Sequence, residues 1–278
     1  MTYKMVCIDM DGTLLGKRKR ISKESKEVIK KIHDKGVEIV VTTGRIYNNA
    51  AYYSHLLGVE SPVIAANGAI VRDKHSNKVI YENPIKTEVC IKLIELLYKM
   101  DFFFHFYTLD GIYCGDRITN IGTKLYMTKQ VGYENLKIKY HIIRKLEEWK
   151  EFFKRTNGQI TKCIAFSLDP KKIEKLKKEL SEFKDIVYFG AGSRSLEINH
   201  QGVSKGRAVK ALADYYGIKR EEIVCIGDNE NDISMIEYAG LGVAMGNAID
   251  QVKALADYIT DSNKEEGVSN ALKKIFNV

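Results

Sequence analysis

What is missing narrows the field first. The five cysteines, Cys7, Cys90, Cys114, Cys163 and Cys225, are odd in number, scattered, and include no C-x-x-C pair. That pattern argues against a secreted disulfide scaffold and against a zinc knuckle, and it fits a reducing compartment. No stretch approaches the ~18 uninterrupted apolar residues of a membrane span, so no membrane partner is expected. The first residues, Met-Thr-Tyr-Lys, run into Asp9 and Asp11 too early for a secretory signal, and a cytoplasmic location is expected. No internal repeat or low-complexity tract is visible. His33, His55, His75, His141 and His200 show no metal-ligand spacing.

What is present is ordinary in bulk. The 278 residues are 45% hydrophobic and 29% charged, a composition that folds without staples. Their number suggests two domains. The net charge is +8, and it is unevenly placed: residues 84–192 carry 20 basic and 14 acidic side chains, the flanks 24 and 22. The surplus is interleaved with Glu, as on Lys-rich solvated helix faces. No stripe of Lys and Arg with stacking aromatics appears, so nucleic acid is not expected as a partner. Small anionic substrates suit the balance better.

The flanks alternate strand and helix. Met5–Ile8 is an apolar run that stops at Asp9. Ser22 is placed to cap a helix whose Val28, Ile29 and Ile32 share one face and whose end is Gly36. The β-branched run Val37–Val41 stops at Thr42-Thr43-Gly44, a helix closes at Gly58, and a strand over 62–66 stops at Asn67-Gly68. Such alternation indicates parallel βαβ units. Near residue 80 the rhythm changes. A hairpin about Ser76-Asn77 precedes a helix over 86–100, and Asp110-Gly111 sits between aromatic-rich arms as a second hairpin turn. Helices over 117–130 and 144–154, a strand over 163–168, a helix over 170–183 started by Asp169-Pro170, and a strand over 186–189 follow. After 195–199 the βα alternation resumes, with a helix over 204–216, a strand over 223–226 stopping at Gly227-Asp228, and a helix over 231–239. The expected fold class is α/β: a Rossmann-like parallel-sheet core domain, 1–83 and 193–278, with a second, inserted α+β domain over 84–192.

Four polar clusters fall at strand ends or helix starts, the edge where open α/β sheets bind ligands. In Asp9-Met10-Asp11-Gly12-Thr13, two carboxylates two residues apart can serve as one nucleophile or metal ligand and one proton carrier, with Gly12 bringing the backbone close to a ligand. Thr43-Gly44-Arg45 offers a hydroxyl and a backbone N–H suited to a phosphate oxygen, and equally reads as a common turn. Lys205, at a helix start, opposes the helix dipole unless an anion lies between them; alone it reads as a solvent-exposed lysine. Gly227-Asp228-Asn229-Glu230-Asn231-Asp232 makes an all-oxygen site of the Mg²⁺ type, although Asn231 and Asp232 could simply cap the next helix.

Taken in order, these clusters resemble the motifs of the haloacid dehalogenase-like superfamily, in particular its Cof-type sugar-phosphatase branch. Asp9-Met10-Asp11-Gly12-Thr13-Leu14-Leu15, Thr43-Gly44-Arg45, Lys205 within Gly202–Gly206, and Gly227-Asp228 through Asn231-Asp232 match the four motifs. Ala66-Asn67-Gly68-Ala69 is similar to a segment usual in the branch, and Met10 stands where Leu is more usual. The resemblance covers both flanks and implies that the insert is a cap. It implies that Asp9 attacks phosphorus to form an aspartyl-phosphate while Asp11 handles the leaving-group and water protons. It further implies that Asp9, the Asp11 carbonyl, Asp228 and Asp232 hold Mg²⁺, and that Met10 (through its backbone), Thr43, Gly44, Lys205 and Asn231 clamp the phosphoryl oxygens. A small phosphorylated metabolite is the implied substrate, for a monomer or homodimer. Arg45 either touches substrate or braces its loop. His105 and Tyr107 either face the site as specificity residues or pack the core of the cap. The alternatives are a phosphomutase of the same superfamily and a non-enzymatic phospho-acceptor or binding module.

Overall fold

The computed structural model describes residues 3–16, 19–131, 138–190 and 192–278. In chain order the elements are β1 (Met5–Ile8), α1 (Lys23–His33), β2 (Glu38–Val41), α2 (Tyr47–Leu56), β3 (Val63–Ala65), β4 (Ile70–Arg72) and β5 (Val79–Glu82). Then come α3 (Thr87–Lys99), β6 (Phe103–Tyr107), β7 (Gly111–Cys114), α4 (Arg117–Val131), β8 (Lys139–Ile142), α5 (Leu146–Arg155), β9 (Lys162–Phe166), α6 (Pro170–Leu180), β10 (Ile186–Gly190) and β11 (Ser195–His200). The chain ends with α7 (Lys205–Tyr216), β12 (Ile223–Gly227), α8 (Ile233–Tyr238), β13 (Leu241–Ala244), α9 (Asp250–Leu255), β14 (Tyr258–Ile259) and α10 (Gly267–Phe276). Two compact units result: the chain up to Glu82 with Ser204–Val278, and Asn83–Val203.

The first unit is the expected parallel-sheet α/β core. Its sheet runs β14-β13-β12-β1-β2, every pair parallel. Strands buried on both faces must be apolar throughout, and β1 and β12 are. Ile8 is in register with both Ile226 and Val41, so three strands end level and release Asp9, Gly227-Asp228 and Thr42-Thr43 at one edge. α1 starts where expected, with the Ser22 hydroxyl accepting from the Ser25 N–H at 2.9 Å, and buries Val28, Ile29 and Ile32. One strand behaves differently from the reading of parallel units. β3 pairs antiparallel with β4, which pairs with β5, and a bridge between Thr42 and Ile64 ties it to the end of β2. The turn at Ala66–Gly68, with positive φ at all three residues, reverses the chain at once and offers β3 a local partner.

The second unit is the expected α+β insert, a six-stranded sheet in the order β10-β11-β9-β6-β7-β8. Helices α3, α5 and α6 supply Leu93, Leu97, Trp149, Phe153 and Leu176 to a core completed by Phe104, Phe106, Cys163, Ala165, Leu196 and Ile198 of the strands. The boundary expected at 193 moves to Ser204. Residues 195–200 are not the start of the core domain but β11, hydrogen-bonded between β9 and β10. β8, a short edge strand, had no counterpart in the sequence reading. All five cysteines are buried and free, and among the described residues no helix is long and apolar enough to cross a membrane.

Candidate active site

Each of the four clusters is fixed by its own backbone before any side chain meets another. Past β1, the N–H groups of Leu14 and Leu15 donate to the carbonyls of Asp9 and Met10, at 3.1 and 2.9 Å, and curl the chain back. Gly12 makes this bend with φ +90°, and a Cβ there would lie 2.3 Å from Asp228 Oδ2. Past β2, the Thr43 N–H donates to the Ile64 carbonyl and the Thr43 carbonyl accepts from the Asn67 N–H. Ser204 caps α7 by accepting from the Arg207 N–H, which makes Lys205 the first helical residue. Past β12, Asp232 Oδ2 accepts from the N–H groups of Asp228 and Asn229, at 2.9 and 3.0 Å, and pins the loop.

The clusters then converge. The Lys205 ammonium, fully buried, donates to Asp9 Oδ1 and Asp232 Oδ1, at 2.5 Å each. Its unfavourable place at a helix start is explained by these two anions. Thr13 Oγ1 donates to Asp228 Oδ1 at 2.7 Å, and Asn231 Nδ2 donates to Asn67 Oδ1 at 3.1 Å. Met10 and Thr43 are buried beside these contacts. Carboxylate oxygens of Asp9, Asp228 and Asp232 lie within 4.8 Å of one another.

Three carboxylates and one ammonium leave an excess of negative charge in a buried place. Burial lifts the Asp9 carboxyl well above the usual range, and Asp232 and Asp228 add to the lift that Lys205 opposes. Burial, partly offset by Thr13 and reinforced by Asp232, pushes Asp228 up to about 6. For Lys205 burial pulls the other way and loses to Asp232 and Asp9, so the amine stays charged. A hard divalent cation fits this donor set: its ligands are all oxygens, and its charge offsets the excess. Among the described residues, Oδ2 of Asp9 and of Asp228 makes no hydrogen bond. Asp232, by contrast, uses both oxygens to hold Lys205 and the loop.

Arg45 reaches Asp11 with two bonds of 2.6 Å, Nε to Oδ2 and Nη2 to Oδ1. Burial would raise the Asp11 carboxyl, but this pairing outweighs it and holds Asp11 below its ordinary value. His105 and Tyr107 are neighbours on one face of β6, in the second unit. His105 Nε2 meets Thr123 Oγ1 at 2.9 Å, and burial drops its imidazole to about 4. The Lys162 ammonium, paired with Glu197, lies 5.3 Å from the centre of the Tyr107 ring.

Four residues escaped the sequence reading as parts of the site. Thr13 stood inside the first motif, and its hydroxyl orients Asp228. Asn67, buried with φ +62°, was signalled by the Asn-Gly pair. Asn247 Nδ2 donates to the Gly12 carbonyl and Asn263 Nδ2 to the Leu15 carbonyl, and together they brace the first loop. Only the Gly246-Asn247 dipeptide after β13 hinted at the former.

A family model of haloacid dehalogenase-like hydrolases matches residues 6–272. The 5-amino-6-(5-phospho-D-ribitylamino)uracil phosphatase YwtE of Bacillus subtilis is 31% identical, over 98% of this chain and 98% of its own. A haloacid dehalogenase-like hydrolase from Bacteroides thetaiotaomicron superposes with a TM-score of 0.85 at 28% identity, covering 99% of this chain and 100% of that one. The subclass IIB sugar phosphatase BT4131 superposes at 0.78 with 26% identity, over 99% and 100%. A stand-alone binding module is thereby set aside, and the chain belongs to the haloacid dehalogenase-like hydrolase family, as a Cof-type hydrolase.

Proposed function

We propose that this enzyme is a Mg²⁺-dependent phosphatase of small phosphorylated metabolites, sugar phosphates first among them, working through an aspartyl-phosphate on Asp9. It is a phosphoric monoester hydrolase. The observation that carries the reading is the Lys205 ammonium 2.5 Å from Asp9, with Asp228 in the same cluster: a nucleophile beside fixed positive charge and a metal-binding carboxylate.

An Asp9 oxygen attacks phosphorus, the bond from phosphorus to the ester oxygen breaks, and Asp11, which enters this half protonated although Arg45 favours its carboxylate form, passes that proton to the leaving alcohol. In the second half Asp11 takes a proton from water, whose oxygen attacks the same phosphorus and frees orthophosphate and Asp9. Thr43, the N–H groups of Met10 and Gly44, the Asn231 amide and Lys205 hold the phosphoryl oxygens, since phosphoryl transfer is catalysed chiefly by position and charge. Asp9, Asp228 and the Asp11 carbonyl would hold Mg²⁺, with Asp232 behind them. When bound, it supplies positive charge to the phosphoryl oxygens and keeps the carboxylates ionised. His105 and Tyr107 serve the packing of the insert in this reading. The free, buried cysteines support a cytoplasmic location.

The test is orthophosphate release from a panel of phosphorylated metabolites, with and without Mg²⁺. The panel includes hexose phosphates and the uracil derivative that YwtE is named for. Metal-dependent release from at least one ester is expected. Conversion to an isomeric ester without free phosphate would make the protein a phosphomutase, and silence across the panel would overturn the reading.

A further inference from the structure

Asp11 is the exposed member of the aspartate pair. Its side chain is 47% accessible, against 7% for Asp9, and sits in a loop rather than on a strand. A proton carrier must present its carboxyl in one orientation, and little of the first loop itself restrains this one. The restraint comes from elsewhere in the chain. The guanidinium of Arg45, whose side chain is only 10% accessible, grips both oxygens of Asp11 in two parallel bonds, a planar fork matched to a planar carboxylate. The fork is in turn fixed from behind by α2. Nη1 donates to Asn49 Oδ1 at 2.8 Å, and the Tyr53 ring lies 5.2 Å from the guanidinium carbon. Asn49 is wholly buried, and its Nδ2 finds no partner among the described residues. An amide that turns its oxygen to Arg45 at the expense of its own donor is oriented by Arg45, because a flip would set donor against donor.

We infer that Arg45 is a positioning residue, held by Asn49 and Tyr53, that orients the Asp11 carboxylate, and that it makes no contact with the leaving group. Three of its five N–H groups are committed to Asp11 and Asn49, and the Nε and Nη2 edge that would fork an anion is taken by the Asp11 carboxylate. This inference rests on the phosphatase reading and names the device that aims its acid–base group.

The experiment is a double-mutant cycle of Arg45→Met and Asp11→Asn, with Arg45→Lys as the milder variant. It is read on p-nitrophenyl phosphate, whose leaving group needs little proton assistance, and on an alkyl or sugar phosphate, whose leaving group needs it. Arg45→Met is expected to lower kcat on the poor leaving group by about 10²-fold, to cost far less on the activated ester, and to move KM less than about threefold on either. Arg45→Lys keeps the charge but loses the fork, and falls between. In the Asp11→Asn background the Arg45 substitution costs nothing further. A raised KM with kcat intact would assign Arg45 to the leaving group, additive losses would make it independent of Asp11, and a raised kcat would mean that it restrains the carboxylate unproductively; each overturns the inference. Phosphate release by the unmodified enzyme reports separately on the phosphatase reading, so a failure confined to the Arg45 series leaves that reading standing, whereas a wild type silent on both esters overturns both.

Discussion

Stripping the enzyme of divalent cations and moving the pH from 7 to 5 probes the carboxylate cluster directly. Burial, with Asp232 reinforcing it and Thr13 resisting, raises Asp228 from 3.8 to about 6 in the folded protein. Between those two values the folded metal-free protein holds a proton that the unfolded chain has lost, so stability falls as pH rises across the window. The penalty from Asp228 alone is about 3 kcal/mol at pH 7 and is largely gone by pH 4. Asp9, raised in the same direction, adds to it. A cation that binds only ionised carboxylates must first expel these protons. Asp228 passes from about nine-tenths ionised at pH 7 to about one-tenth at pH 5, so Mg²⁺ affinity should fall about tenfold from this residue, or ~1.4 kcal/mol, with Asp9 widening the gap.

Calorimetric Mg²⁺ titrations at pH 5, 6 and 7, in two buffers of different ionisation enthalpy, measure the affinity and the protons released together. Urea unfolding with Mg²⁺ and with EDTA measures the linked stability. His105 imposes an opposite trend. Its folded value near 4 lies below the ordinary 6.5, so its contribution is complete above 6.5 and lost as pH falls toward 4. That residue belongs to the other unit and cancels in the difference between loaded and stripped samples. An affinity constant within about threefold from pH 5 to 7, with no proton released on binding, would refute the reasoning, because Asp228 would then be ionised without the metal.

Asp9→Asn should lower turnover by about 10⁴-fold or more while the metal-free melting temperature holds or rises, since a buried carboxyl with a raised pKa is removed; more than about 1% residual kcat takes the nucleophile's role from Asp9. Lys205→Met leaves Asp9 and Asp232 without their buried counter-ion and should cost about 3–5 kcal/mol in urea unfolding at pH 7, less at pH 5, where the raised Asp9 carboxyl takes up a proton; a loss below ~1 kcal/mol contradicts the pairing. Gly12→Ala sets a methyl 2.3 Å from Asp228 Oδ2 at φ +90° and should cost about 1–3 kcal/mol together with weakened Mg²⁺ binding, both read from unfolding curves with and without metal. His105→Gln should flatten the stability profile of the insert between pH 6.5 and 4, the wild type losing up to about 3 kcal/mol more across that range; parallel profiles would show that the imidazole charges freely in place.

The parts of this architecture that could be read from the sequence are those set by neighbours within a few residues. Ser22 and Ser204 announce helices because a hydroxyl caps the N–H three residues on, and both do so. Val-Ile runs stopped by Asp9, Thr42 and Gly227 mark buried strands with a functional edge, and register brings those ends level. Choice of partner across the chain is another matter. Ser195–His200 alternates as a strand in any fold, but whether it joins the parallel sheet or lies between β9 and β10 depends on pairings with residues 162–166 and 186–190, which no local pattern records.

The same division runs through the site. Lys205 looked misplaced at a helix start, and that local conflict was itself the signal that anions stood opposite; the structure supplies two. Arg45 carried no comparable conflict, since an arginine after Thr-Gly suits a loop, a substrate contact or a brace equally well. Its partner lies 34 residues upstream and its support on α2, so its role emerges only when β1 and β2 are laid side by side. Residues whose chemistry is wrong for their local setting can thus be found from sequence, while those that are locally unremarkable and act by holding another side chain need the fold. Arg45 and Asn263 belong to the second kind.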